Sequence, residues 1–77
     1  MTDVVNSPSH YNQGGIECIE AITAMTSTMN GTSAYVSGNI LKYLWRHEYK
    51  NGLEDLKKAQ WYLNKLIEEY EDNHREY

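Results

Sequence analysis

Seventy-seven residues at a net charge of −4 make one small domain, and the acidic balance excludes a protein that coats DNA or RNA, which needs a dominant positive field. The single cysteine, Cys18, allows no intrachain disulfide, and His10, His47 and His74 are scattered without zinc-ligand spacing, so neither staple is expected. No apolar run nears the roughly 20 residues of a membrane span and no signal-peptide pattern opens the chain, which points to a soluble protein of a reducing cytoplasm. A chain this short buries only about 60 per cent of the surface its unfolded form exposes, so self-association is the expected way to complete the core.

Met1 to Gln13 carries Asn, Ser, Pro and His without helical periodicity and reads as an extended arm; with Gly14 and Gly15 it forms an arm-and-loop segment, 1–15. A helix is expected over 16–29, where Cys18, Ile22, Met25 and Met29, with Ile19 beside them, form one apolar stripe. Its three threonines lower its propensity, and Asn30-Gly31 offers a left-handed exit. Thr32 or Ser33 is the expected cap of a second helix over 33–50. At about 100° per residue, Val36, Ile40, Leu41, Leu44 and Trp45 cover one arc, while Asn39, Lys42, Tyr43, Arg46 and Lys50 cover another. Gly38 costs that helix about 1 kcal/mol and marks either a helix crossing or a close approach of backbone or ligand.

Asn51-Gly52 is the next turn, and Asn51 with Glu54 resembles the capping box of a third helix over 53–70. Its expected buried stripe is Leu56, Ala59, Leu63, Leu66, Ile67 and Tyr70. Trp61 points almost opposite, among Lys57, Lys58 and Lys65, and suits a subunit interface or ligand stacking. Residues 71–77 form a polar tail expected to fray. The fold class is all-α: a three-helix domain over 16–70 behind an extended N-terminal arm, completed by oligomerisation.

Five of the seven cationic side chains lie between Lys42 and Lys58, and Lys42, Arg46 and Lys50 fall four apart. On a helix that spacing stacks charge along one side, where Arg46 can grip a phosphate with two bonds, lysines add point charge and Tyr43 offers a ring or hydroxyl. The plainer reading is a solvated face neutralised by Glu48, Glu54 and Asp55. His10 and Tyr11, side by side in a loop, suit a base, a ribose or a phosphate, or a purely structural role. Glu17 and Glu20 offset the first helix's dipole, although Glu17 also suits a ribose hydroxyl or the fixing of Arg46 or Lys42. Asp55 is a first-turn helix charge or the partner of a neighbouring subunit's cation. No Walker loop or dinucleotide fingerprint is present, and Cys18 reads as a buried thiol. Nothing here demands catalysis.

Pro8-Ser9-His10-Tyr11, Gly15-Ile16-Glu17, Gly38-Asn39-x-x-Lys42-Tyr43-x-x-Arg46 and Lys50-Asn51-Gly52-x-x-Asp55-Leu56-x-Lys58-Ala59-x-x-Tyr62-Leu63 together resemble a widespread family of small phage proteins. Its members carry no assigned function or are described as nucleotide kinase by similarity to a kinase of T7-like phages. The resemblance runs from about Asn6 to Glu69, and this chain is close to the bare shared module, whereas the kinase is considerably longer. It implies a phage-encoded protein that meets nucleotides in the cytoplasm of the infected bacterium. The residues it carries over are His10, Tyr11, Glu17, Asn39, Lys42, Tyr43, Arg46, Lys50, Asp55 and Lys58.

Three functions compete. In the first, the chain sequesters a nucleotide second messenger of host anti-phage defence, such as a cyclic dinucleotide, without turnover or cofactor. Lys42, Arg46 and Lys50 would hold phosphates between subunits, and Tyr11, Tyr43 or His10 the base. This likeness to compact phage sequestering proteins is one of type rather than of motif. In the second, a nucleoside monophosphate kinase, Glu17 or Asp55 would carry magnesium or orient the acceptor. In the third, a helical adaptor inhibits a host protein through its basic face. Trp61, Asp55 and Lys58 are the expected subunit interface, and no membrane or nucleic-acid polymer is an expected partner.

Overall fold

The computed structural model of the chain describes residues 12–74. A small hairpin, β1 (Asn12–Gln13) and β2 (Ile16–Glu17), leads into three helices: α1 (Cys18–Thr26), α2 (Gly31–Arg46) and α3 (Leu53–His74). The class is the all-α three-helix domain expected from the sequence.

The end of the expected arm is the first strand of the hairpin. Asn12 lies opposite Glu17 and Gln13 opposite Ile16, antiparallel. The linking Gly14 and Gly15 have φ of +59° and +77°, the left-handed pair that two-residue hairpin loops favour. The Gln13 side-chain amide donates to the Trp45 carbonyl, tying the hairpin to the far end of α2.

Helix α1 is shorter than its apolar stripe suggested. It opens with the Glu17 N–H donating to Glu20 Oε1 at 2.9 Å and ends at Thr26. Thr23 and Thr26 direct their hydroxyls onto the carbonyls of Ile19 and Ile22, at 2.8 and 2.7 Å, a bond that threonine makes within its own helix. The Met29 N–H then turns back to the Thr26 carbonyl at 2.9 Å, which removes Met29 from the helix.

Helix α2 starts earlier than expected. Asn30 is extended, at φ −111° and ψ 161°, and its carbonyl accepts the Ala34 N–H at 3.0 Å, so Thr32 and Ser33 lie inside the helix rather than at its cap. Gly38 is buried, and a Cβ there would stand 3.2 Å from Ile22 Cγ2. The glycine therefore serves the crossing of α1 over α2.

Helix α2 stops at Arg46, not at Lys50. A 3-10 turn over His47–Tyr49 follows, and Gly52, at φ +52°, sends its N–H to the His47 carbonyl at 2.8 Å. The break reverses the chain so that α3 runs back along α2, with Arg46 meeting Asp55 and Tyr35 meeting Tyr62. Helix α3 has 22 residues, or about 33 Å, and includes the part of the expected tail up to His74.

Among the described residues, Cys18, Val36 and Ala59 are the buried apolar side chains, and Ser37, Arg46 and Asp55 are buried with them. The expected α3 stripe is only partly enclosed. Ala59 is buried and Leu66 half-buried, but Leu56, Leu63, Ile67 and Tyr70 remain 38, 45, 47 and 58 % exposed. The reason is rotation: α3 turns Asp55, Ala59, Tyr62 and Leu66, spaced four, three and four apart, towards α2. Among the described residues, no helix is long and apolar enough to cross a membrane.

Candidate functional site

The polar arc of α2 is the arc that faces α3. Arg46, the last residue of α2, places Nη2 3.0 Å from Asp55 Oδ1 and Nε 3.2 Å from Asp55 Oδ2. This two-pronged contact is the strong form of the guanidinium–carboxylate pair. Asp55 Oδ2 also accepts the Asn51 N–H at 3.2 Å. Asp55 is fully enclosed and Arg46 only 8 % exposed. Burial alone would push the Asp55 carboxyl up; the Arg46 hydrogen bonds and charge, with the Asn51 N–H, outweigh it and hold the carboxyl below its usual range.

Three expectations are corrected by this clasp. Arg46 does not stand on an open polar face, because its guanidinium is used within the chain. Asp55, expected at a subunit interface, presents no surface to a second subunit. The acid that reaches back to Asn51 is Asp55 rather than Glu54, whose own N–H bonds to the Asn51 carbonyl at 3.1 Å. Lys50, exposed and beyond the end of α2, has left the row it was expected to share with Lys42 and Arg46.

Beside the clasp the two helices build a cationic and aromatic surface. The Tyr43 and Tyr62 rings stack at 6.0 Å with 19° between their planes. Around Tyr43 stand Lys42 Nζ at 4.6 Å, Arg46 Cζ at 4.9 Å and Lys58 Nζ at 5.6 Å from the ring centroid, all within cation–π range. Tyr62 meets Tyr35 edge-on at 6.5 Å and Trp61 edge-on at 5.0 Å, and Lys65 Nζ lies 5.3 Å from Trp61. Desolvation, with the Tyr35 and Tyr43 phenols adding to it, raises the Tyr62 phenol above its ordinary value.

Trp61, 58 % exposed, is the wall shared by two shallow, open hollows. One is completed by Leu53, Glu54, Lys57 and Lys58, the other by Thr32, Tyr35, Val36, Tyr62, Lys65 and Glu69. The Lys42 charge also reaches Cys18, whose thiol is raised by burial and partly drawn back by that ammonium.

Of the residues expected to bind a ligand, Lys42 and Tyr43 come together at this surface, where Lys58 and Trp61, expected at a subunit interface, join them. Asn39 donates its amide to the Tyr35 carbonyl of its own helix at 3.0 Å. Glu17 is half-buried at the junction of hairpin and α1. His10 and Tyr11 lie outside the described residues. Tyr35, Tyr62 and Lys65 were not read as site residues. Their signal was present as spacing: Trp61 and Tyr62 each fall three or four residues from Lys58 and Lys65 on α3, and Tyr35 lies seven residues before Lys42, on the same side of α2. Among the described residues, no three His, Cys, Asp or Glu side chains are grouped to hold a metal ion.

Residues 5–64 match the family model for DUF3310, a protein family of unknown function. The chain belongs to the DUF3310 family. The matched region spans the hairpin, α1, α2 and the first half of α3, and so includes the clasp and all of the aromatic surface except Lys65. No curated protein and no solved structure matches this DUF3310 chain.

Proposed function

We propose that the protein binds a nucleotide-class ligand on the surface formed by Lys42, Tyr43, Lys58 and Trp61, and holds it without turnover. The observation that carries the reading is the pair of ammonium groups, 4.6 and 5.6 Å from one tyrosine ring, beside an exposed indole on a chain whose net charge is −4. Ammonium groups meet phosphate oxygens as point charges, and an exposed indole gives a base a stacking face. Arg46 takes a different part from the one first expected. Paired with Asp55, it braces the helices that carry these groups and adds its charge to the Tyr43 ring.

The phage resemblance supplies the setting: the cytoplasm of an infected bacterium, where sequestering a nucleotide second messenger would silence host defence. A homo-oligomer is part of this proposal. The kinase alternative is less well supported by the side chains, since Asp55, a candidate for magnesium or acceptor, is enclosed against Arg46. Phosphoryl transfer also requires a held donor and acceptor together, on a module that offers shallow hollows. An adaptor that binds a host protein would use the exposed apolar side chains instead.

The test is retention. Purified protein is incubated with a panel of linear and cyclic nucleotides, washed, heat-denatured, and the released material identified. One unchanged nucleotide per site, lost in the Lys58→Ala and Lys42→Ala variants, is the expected result. New diphosphate over many turnovers moves the assignment to a kinase, and no retention of any nucleotide overturns the reading.

A further inference from the structure

We propose that a second copy of this chain docks antiparallel along the exposed apolar side of α3, on a two-fold axis at Leu63. Leu56, Leu63 and Tyr70 recur at intervals of seven and are 38, 45 and 58 % exposed, with Ile67 beside them at 47 %. An interval of seven keeps side chains on one seam of a helix, the pattern by which helices pair. Among the described residues, thirteen large hydrophobic side chains are exposed while three apolar ones are buried, so one chain leaves many of its apolar side chains incompletely covered. Trp61 points roughly opposite the seam, so this docking leaves the proposed ligand surface open and does not rest on it.

Charge decides both the occupant and its direction. Lys57 flanks the seam beside Leu56, whereas Lys58 and Lys65 stand with Trp61 on the other side of α3. At the other end of the seam, Glu71 flanks Tyr70 on the same side. Leu63 lies midway between Leu56 and Tyr70, so a two-fold axis there sets Leu56 against Tyr70 of the partner subunit and Leu63 against the partner's Leu63. The same operation brings Lys57 of each helix beside the partner's Glu71. A parallel pair would hold Lys57 and Glu71 at opposite ends of the seam and lose that attraction. The seam and the charges are thus complementary to themselves under one symmetry operation, which selects a second copy over an unrelated partner.

Sedimentation equilibrium of the full chain should show a dimer. Leu63→Glu puts two carboxylates on the axis and should weaken association by about 100-fold or more while keeping the helical circular dichroism. Lys57→Glu should weaken it less, and adding Glu71→Lys should restore it. Mixing the Leu56→Cys and Tyr70→Cys chains under mild oxidation should give mixed disulfide dimers in excess of either self-linked species, with the wild-type chain, whose Cys18 is buried, as the control. A wild-type chain that stays monomeric into the millimolar range overturns the proposal. So does a dimer indifferent to Leu63→Glu, and self-linked Leu56→Cys dimers in excess overturn the antiparallel direction. Should Leu63→Glu fail to fold, the mixed cross-link decides the question alone.

Discussion

Asp55 and Leu56 are neighbours in sequence and opposites in environment: the carboxylate is wholly enclosed, the hydrocarbon more than a third exposed. One residue of helical rotation separates a face completed inside the chain from a face that is not. The buried charge is tolerable because Arg46 and the Asn51 N–H occupy its oxygens. The leucine lies off the line along which α3 turns Ala59, Tyr62 and Leu66 towards α2. The contrast teaches that, among the described residues, the buried polar side chains find their partners within one chain while many apolar ones remain incompletely covered.

The sharpest way to break this comparison is to remove one half of the clasp. Asp55→Ala strands a buried guanidinium and Arg46→Ala a buried carboxylate, and each should cost about 3–5 kcal/mol by urea denaturation. An unchanged midpoint for Arg46→Ala would mean that its guanidinium faces solvent after all. Replacing both partners with hydrocarbon, Arg46→Met with Asp55→Leu, should recover most of that loss, because the desolvation of two charges disappears along with their attraction.

Acid should loosen the same region. The Asp55 carboxyl is lowered in the folded chain, so between its folded value and the unfolded value of about 3.9 the unfolded chain binds more protons. The clasp's contribution is therefore complete above about pH 4 and is lost as pH falls through the folded value. Urea midpoints measured from pH 6 down to 2 should drop in the wild type, and the Asp55→Asn variant should show a shallower fall.

On the other face the effects are smaller and depend on protein concentration. Leu63→Ala at high dilution should cost less than the 2–5 kcal/mol typical of a buried leucine, with the cost growing as concentration rises. A full core-sized loss in dilute protein would show that Leu63 is enclosed within one chain. The smallest expected effect is that of Lys58→Ala, about 0.5–1 kcal/mol, as befits an exposed cation beside a ring. Thermal melts should barely move while nucleotide retention is lost; a large drop in melting temperature would make Lys58 a structural residue.

Much of this was legible in the residues. The 3.6-residue periodicity and the Asn-Gly pairs placed three helices, and the position of Cys18 on its stripe marked it as buried. The grouping of Asn39, Lys42, Tyr43 and Arg46 on one arc was also readable, but its direction was not. A polar arc is taken by default to face water, and only the presence of Asp55 nine residues later, brought back by the turn at Gly52, turns that arc inward. The end of α2 escaped for a similar reason. Lys50 continues the four-residue spacing of Lys42 and Arg46, yet the 3-10 turn at His47 removes it from their row.

Composition and periodicity thus settled the helical class, its number of helices and the supply of cations and aromatic rings, because these depend on local backbone preference and on which side chains recur at helical spacing. Which arginine is enclosed, which leucines are left outside and which lysines share one tyrosine ring depended on the rotation of α3 against α2. That rotation is set where Asp55 finds Arg46, a contact that depends on the chain reversing between the two helices rather than on helical spacing within either.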